Sequence, residues 1–162
     1  MIVNTMALLG VNGRPVTVEV DLLRRLPCVV IVGLPGPSVR ETVEVVRSAI
    51  TDAGYEFPCQ RVIVNMSPLD FPKRGNVHEL AIAIAILQAA GHLTIPDNTA
   101  FIGGLTLNGS LRAVVGLVPL LLDLPAGISS VVVPRCQEDE ARQYLMLHSA
   151  TCHVRVRLAG CL

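Results

Sequence analysis

Two stretches of the sequence hold residue types suited to binding an anion. The glycine-rich GLPGPS, residues 33–38, stands between a predicted strand and a predicted helix, where free backbone N–H groups and the helix dipole favour negative charge. Gly33, Gly36 and Ser38 are its candidates, and Lys73 and Arg74 are the candidates in the polar loop LDFPKRGN. We favour a tight strand-to-helix turn as the role of these glycines and keep anion capture as the alternative. Neither stretch has the lysine-hydroxyl pair of a Walker A loop, so we predict no ATP site in this chain.

Residues suited to acid–base or metal chemistry occur at two further places. His78 and Glu79 open a predicted helix, where an acid interacts favourably with the helix N-terminus, and we favour this capping role over acid–base catalysis. His148, Cys152 and His153 are close in sequence, but a strand would point Cys152 and His153 to opposite faces. The five cysteines include no CxxC pair. We therefore predict no metal site, no disulfide framework and no cofactor for this chain.

The composition predicts one domain with a large core. The chain has 162 residues, 51% of them hydrophobic and 16% charged, which is enough for a core without disulfides or metals. We expect a single domain over residues 1–162. Its longest apolar stretches, such as Ala81–Leu87 and Ala113–Leu122, are shorter than the roughly 20 residues that a membrane-spanning helix needs. The first residues lack the basic region of a signal peptide. We therefore expect a cytoplasmic protein without a membrane partner.

Hydrophobic periodicity predicts the first elements that position these residues. Met1–Leu9 and Pro15–Leu22 are predicted to form a hairpin, signalled by Asn12-Gly13. The continuous β-branched run Leu26–Gly33 is typical of a strand that is covered on both faces.

The remainder of the chain alternates helices with strands. Ser38 and Glu41 are predicted to form a capping box at the start of a helix over Val39–Asp52. The nearly all-apolar HELAIAIAILQAAG predicts a buried helix that ends at Gly91. After it the patterns indicate a hairpin at Asn108-Gly109, a short helix with Pro119 in its first turn, a strand SSVVVP, a charged helix QEDEARQYL and a last strand HVRVRL. The order ββ-β-α-β-α-ββ-α-β-α-β predicts an α+β fold, a mixed α/β sandwich.

Four segments carry a resemblance to a known family. They are ALLGVNGRPVTVEVDL, IVGLPGPSVRETVEVVRSAI, GYEFPCQRVIVNMSPLDFPKRG and FIGGLTLNGSLRAVVG. In this order and spacing they resemble the N-terminal, ChlI-type domain of the magnesium-chelatase-like AAA+ ATPases called ComM or YifB. The resemblance runs from Met1 to about Pro134. It implies a fold similar to the proteolytic domain of Lon protease, which is also described as ribosomal-protein domain-2-like.

The same resemblance bears on catalysis. Lon-type proteases use a serine nucleophile with a lysine base, because a lysine in an apolar site can give up its proton. The resemblance would place the serine at position 77 and the lysine at position 118, where this sequence has Val77 and Val118. Two valines supply neither a nucleophile nor a base. We therefore predict that the chain is not an enzyme.

Three departures from the family pattern stand in the loops. Gly36 occupies a position where the family usually has an acid, and Asn76-Val77-His78 replaces a Pro-Ser-aromatic run. Gly104 replaces a usual glutamate.

The resemblance implies a role inside a larger assembly. In the family an AAA+ module that binds ATP and magnesium follows this domain, and no such module is present in this chain. The expected partners are that module and neighbouring subunits of a ring, with DNA as a partner of the full protein through branch migration and natural transformation. We expect a scaffold or regulatory role for this domain.

Two other classes of function stay open as alternatives. The net charge is zero and Lys73 is the only lysine, so a globally basic nucleic-acid footprint is absent. A nucleic-acid-binding module would need Arg61, Arg74, Arg112 and Arg155 to converge on one surface. We expect Arg155 to share one face of an edge strand with Arg157. The other alternative is a degenerate Lon-type Ser-Lys peptidase.

Overall fold

The computed structural model describes residues 2–145, 150–155 and 157–161, and they form an α+β fold as predicted. The strands are β1 (Ile2–Leu9), β2 (Asn12–Leu23), β3 (Cys28–Val32), β4 (Arg61–Ser67), β5 (Thr99–Phe101), β6 (Gly104–Leu105), β7 (Leu111–Arg112), β8 (Ser130–Pro134) and β9 (Thr151–Arg155). The α-helices are α1 (Gly36–Asp52), α2 (Glu79–Ala89), α3 (Leu117–Leu122) and α4 (Glu138–Leu145), and short 3-10 helices span Arg135–Gln137 and Leu158–Cys161.

Seven of the described strands make one mixed sheet in the order β3-β4-β2-β1-β5-β8-β9. β2 pairs antiparallel with both β1 and β4, whereas β3-β4, β1-β5, β5-β8 and β8-β9 are parallel pairs. β6 and β7 form a separate two-stranded ribbon. The sequence predicted this ribbon but missed β5, because AFIGGLTL reads as one strand although its two halves pair in different sheets.

Helices cover the two faces of the sheet over different strands. Val3 and Ala7 of β1 pack in the same apolar cluster as α1 and α2, whereas Met6 packs in a second cluster with α3 and α4. Successive residues of a strand point to opposite faces. The pair α1 and α2 therefore lies on one face, and α3 and α4 lie on the other.

The buried helix and the short apolar helix are both confirmed. Every residue of α2 from Glu79 to Gln88 is buried, and Gly91 follows the helix. Pro119 lies in the first turn of α3. Within the described part of the chain, none of the helices is both long enough and apolar enough to cross a bilayer.

The predicted first hairpin is correct, but its turn lies elsewhere. Leu9 pairs with Asn12, so Gly10 and Val11 make the turn, and Gly13 lies inside the ladder opposite Leu8. Gly10 has φ of +64°, a left-handed conformation that glycine adopts without steric cost.

The prediction that both faces of β3 are covered is wrong. β3 is an edge strand, and Cys28 and Val32 at its two ends are exposed. Ile31 is the buried residue of β3 in the core below α1 and α2, and Val29 is partly buried against the same cluster. A run of β-branched residues therefore marks the strand correctly but does not report what covers its second face.

The predicted capping box is also wrong. α1 begins at Gly36, three residues earlier than expected, and its N-cap residue Pro35 makes no side-chain cap hydrogen bond. The Ser38 N–H donates to the Pro35 carbonyl oxygen at 3.0 Å, so Ser38 already lies within the first turn. The first turn of α1 carries no acidic residue.

The last strand is shorter than predicted. β9 ends at Arg155, and Arg157 lies beyond it in an isolated bridge to Ser110. Arg155 does lie on an edge strand of the sheet. His148 and Val156 lie outside the described residues.

Candidate functional site

The two candidate loops lie side by side at one edge of the sheet. β3 and β4 are parallel neighbours, so the segments that follow them leave the sheet at the same edge and lead into α1 and α2. Gly33 has φ of +101°, and a Cβ there would lie 2.6 Å from the Met66 carbonyl oxygen. Only glycine tolerates both conditions. Gly33 therefore lets the two loops pass closely, in keeping with the tight turn that the sequence favoured.

The other glycine-loop candidates lie at the start of α1. Gly36 is exposed, with open space where a side chain would begin, and Ser38 is half-buried in the first turn. The anion-binding role of this loop stays a prediction.

Lys73 is buried inside the second loop. Its Nζ donates to the carbonyl oxygens of Pro68 and Phe71 and lies 4.3 Å from the centre of the Phe71 ring. Burial lowers the pKa of the Lys73 ammonium, and the charge of Asp70 opposes this shift. The ammonium thus holds its own loop together, whereas its neighbour Arg74 is exposed.

His78 is a buried imidazole whose two ring nitrogens, Nδ1 and Nε2, both lack a hydrogen-bond partner. The side chain is 2% exposed. Burial, with a smaller contribution from the charge of Lys73, lowers the pKa of His78 to about 3. The ring is therefore neutral at physiological pH and cannot serve as an acid there.

Glu79 joins α2 to the β6–β7 ribbon. Its Oε2 accepts a hydrogen bond from the Leu105 N–H at 2.7 Å and lies 3.6 Å from the Arg112 guanidinium. Burial raises the pKa of Glu79, while the Leu105 hydrogen bond and Arg112 lower it. Glu79 does stand in the first turn of α2, as the sequence predicted. Its carboxylate also binds the N–H of a residue 26 positions away, which the sequence did not predict.

The two positions that resemble the Lon dyad are apolar in this chain. Val77 is buried in the cluster that also contains Leu117, and Val118 is half-buried on α3. Val77 packs among the aliphatic side chains of this cluster, and neither valine carries a group that could act as a nucleophile or a base.

The four arginines named for a nucleic-acid interface do not all converge. β4 and β9 are separated by β2, β1, β5 and β8, so Arg61 and Arg155 lie about 24 Å apart across the sheet. Arg61 begins β4, whereas Arg74 follows the other end of that strand and Arg155 ends β9, which runs parallel to β4. Arg112 lies beside Glu79 at the start of α2, so it is at the same end of the sheet as Arg74 and Arg155.

A different basic group was missed by the sequence reasoning. Arg24 and Arg25 follow the end of β2, and Arg61 stands next to Leu23 in the β2–β4 ladder. The Arg24-Arg25 pair directly after a strand is the signal that could have found this group.

Among the described residues, no group of three or more histidine, cysteine or acidic side chains is placed to hold a metal ion. Cys152 and His153 are consecutive residues of β9, so they point to opposite faces as expected. His148, the third member of the group considered from sequence, lies outside the described residues.

Comparison with known proteins identifies relatives over most of the chain. The model of a family described as subunit ChlI of magnesium chelatase matches residues 18–137. YifB of Escherichia coli is 41% identical over 141 residues, which cover 86% of this chain and 28% of that protein. The competence protein ComM of Haemophilus influenzae is 36% identical over 142 residues, with 86% of this chain and 28% of that protein covered.

The similarity extends to a protease. Lon protease of Clostridioides difficile is 29% identical over 147 residues, which cover 85% of this chain and 19% of that protein. The chain thus spans less than a third of the length of each of these relatives.

Proposed function

The chain belongs to the family of the ChlI subunit of magnesium chelatase, and from this membership we propose that it is a non-catalytic scaffold or regulatory domain of a ComM/YifB-type AAA+ ATPase. ATP and magnesium would be bound by the ATPase module, and this chain would bind that module and neighbouring subunits in the cytoplasm. The similarity to the competence protein ComM supports a role of the complete ATPase on DNA, in natural transformation and branch migration.

The absence of catalysis in this chain is part of the proposal. Val77 and Val118 stand where the resemblance to Lon would require a serine and a lysine. Lys73, the only lysine, donates to carbonyl oxygens of its own loop and is not free to act as a base. These observations favour a scaffold over the alternative of a degenerate Ser-Lys peptidase.

An exposed apolar corner is the observation that carries the scaffold role. Val11 and Val115 are 82% and 83% exposed, and Leu122 is 43% exposed. We call these three side chains the apolar corner. Exposed aliphatic groups on neighbouring segments are typical of a surface that meets another protein.

The segments that carry the corner are held together by contacts between the β1–β2 hairpin and α3. The Gly13 N–H donates to Asp123 Oδ2 at 2.7 Å, directly after α3. At the other end of α3, a Cβ on Gly116 would lie 3.0 Å from Leu8 Cδ2. The hairpin, whose turn carries Val11, is therefore packed against the helix that follows Val115 and contains Leu122.

Sedimentation velocity over a wide concentration range tests the proposal. We expect the chain to associate weakly as concentration rises, and the double variant Val11→Glu/Val115→Glu to stay monomeric, because two buried carboxylates would oppose the contact. Leu26→Glu/Leu107→Glu is the matched control, since these side chains are 87% and 62% exposed outside the corner. A monomer at every concentration, or equal loss of association in the control, would contradict the scaffold role.

A further inference from the structure

One face of the sheet is bare over β2, β3 and β4. The apolar cluster below α3 and α4 takes its strand residues from β1, β8 and β9, and none of its described members belongs to β2, β3 or β4. Alternate residues of these three strands pack below α1 and α2 on the other face of the sheet. Because successive residues of a strand point to opposite faces, the remaining side chains of β2, β3 and β4 form one surface. We call this surface the bare face.

Three aliphatic side chains lie side by side on the bare face. Val30 and Ile63 are partners in the β3–β4 ladder, and Val32 is two residues further along β3. Val30 and Ile63 are half-buried, Val32 is 39% exposed, and none of the three belongs to either apolar cluster of the core. β3 and β4 are a parallel pair, and parallel strands are nearly always covered on both faces. Within the described residues, the β-branched run of β3 has a cover on one face only.

Carboxylates flank these aliphatic side chains on the side of β2. Asp21 is the ladder partner of Ile63, and Glu19 is two residues away on the same strand, so the two exposed acids are about 7 Å apart along β2. A concavity of about 570 Å³ lies beside Glu19, and Asp97 lines it as well. The ion pairs found in the described part of the chain involve neither Glu19 nor Asp21. Arg61 is the basic residue of the bare face, so the acids give this surface a negative net charge.

The acidic row and the aliphatic row match two sides of an amphipathic helix. β4 lies between β2 and β3, so the rows are about 10 Å apart, which is close to the diameter of an α-helix with its side chains. Successive side chains of each row are about 7 Å apart, and helix residues four positions apart rise by about 6 Å. A helix that lies along the strands therefore sets apolar residues at i and i+4 over Val30 and Val32. Basic residues on its flank, also four apart, then lie beside Glu19 and Asp21.

A basic helix of another protein fits this surface better than the other possible covers. The exposed side of α1 mixes Arg40 with Glu44, and α4 begins with three acidic residues, so a second copy of this chain does not supply a basic helix. The negative charge of the bare face disfavours an anionic lipid surface or a nucleic acid. A helix with an apolar stripe is moreover the element that usually covers the open face of a sheet.

We propose that the bare face docks an amphipathic α-helix of the ATPase module, with lysine or arginine along one flank of its apolar stripe. The stripe packs on Val30, Val32 and Ile63, and the basic flank pairs with Glu19 and Asp21. This inference deepens the proposed function and rests on it, because it names the chemistry of the segment by which the module would be bound. The apolar corner lies at the hairpin turn and α3, so it is a separate surface.

Fluorescence anisotropy with a labelled synthetic peptide tests the proposal. The peptide has about 18 residues, because a helix of that length spans about 27 Å and covers the seven residues of β4, about 23 Å. It is built from alanine and glutamine, with leucine at every third or fourth position and lysine along one flank of the leucines. We expect saturable binding that weakens as salt is added, because salt screens exposed charges.

A charge swap provides the decisive comparison. Glu19→Lys/Asp21→Lys should weaken binding of the lysine peptide roughly tenfold, because repulsions replace two exposed ion pairs. The same variant should bind a peptide with glutamate in place of lysine more tightly than the unmodified chain does, which also shows that the variant is folded. Val30→Thr/Val32→Thr keeps the branched shape and should weaken binding of the lysine peptide roughly fivefold, because a hydroxyl replaces a methyl group at each contact.

The control variant is Glu44→Lys/Glu56→Lys, which makes the same charge change at exposed residues outside the bare face. It should bind the lysine peptide nearly as the unmodified chain does. The absence of saturable binding, an equal loss in this control, or equally tight binding of the glutamate peptide by the unmodified chain would each overturn the proposal. Val11→Glu/Val115→Glu should still bind the lysine peptide, so failure of the bare face and failure of the apolar corner can be told apart.

Discussion

Replacing the buried His78 by phenylalanine should make the fold more resistant to acid. In the unfolded chain a histidine takes up a proton near pH 6.5, whereas in the fold burial lowers the pKa of His78 to about 3. Between these two values the unfolded chain binds a proton that the folded chain does not. His78 therefore leaves the free energy of unfolding unchanged above pH 6.5 and lowers it progressively as the pH falls towards 3.

The expected size of the effect follows from this gap. Each pH unit between the two pKa values lowers the free energy of unfolding by about 1.4 kcal/mol. Because the pKa of the unfolded chain is near 6.5, His78 alone should lower this free energy by about 2 kcal/mol between pH 7 and pH 5. Phenylalanine does not titrate and is of similar size to histidine. The free energy of unfolding of His78→Phe should therefore fall by about 2 kcal/mol less than that of the unmodified chain over this range.

Urea unfolding followed by circular dichroism at pH 7, 6 and 5 measures this difference. The change in the free energy of unfolding with pH is measured within each protein, so any constant effect of the new ring on packing cancels. His92→Phe, which removes an exposed histidine by the same substitution, is the control. Parallel pH profiles for His78→Phe and the unmodified chain would refute the reasoning, since they would mean that water or a partner reaches the imidazole in the fold.

Two further variants test the contacts of the candidate loops. Glu79→Ala should lower the free energy of unfolding by roughly 1–3 kcal/mol, because it leaves the Leu105 N–H buried without its acceptor. Glu79→Gln keeps an oxygen there and should lower it less in the same urea titration. Gly33→Ala should lower the free energy of unfolding by roughly 1–3 kcal/mol, because position 33 has a left-handed backbone and lies close to Met66. Gly36→Ala has open space at its Cβ and should change this free energy by less than about 0.5 kcal/mol in thermal unfolding. Equal effects of the two alanine substitutions would contradict the loop packing.

Local patterns predicted the elements whose burial is uniform. α2 could be predicted because it is apolar on every side, and its residues are buried all round. β3 shows where such reasoning ends, because the same kind of apolar run belongs to an edge strand with exposed ends. Which neighbour covers a face depends on strand order, and strand order is set by contacts between distant parts of the chain.

The site was less predictable than the fold for the same reason. The Glu79 carboxylate meets a backbone N–H that is 26 residues away, so a helix-capping role was the only one visible locally. The arginine group likewise depends on the register that sets Leu23 opposite Arg61. A list of arginines by sequence position could not give that register, and of the four residues first chosen Arg61 proved to lie at the opposite end of the sheet from the other three.

Gly104 and Asn76, two positions at which the sequence departs from the pattern that the resemblance implies, are in contact. A Cβ at position 104 would overlap the amide nitrogen of Asn76 and would lie 2.7 Å from Asn76 Cγ. The same amide donates to the Ala113 carbonyl oxygen at 3.3 Å, and so links the loop before α2 to the segment after β7. Asn76 thus fills the space that any side chain at position 104 would need. A side chain at this position would require Asn76 to move and would break the link to Ala113, whereas the hydrogen bond from Leu105 to Glu79 would still hold the β6–β7 ribbon to α2.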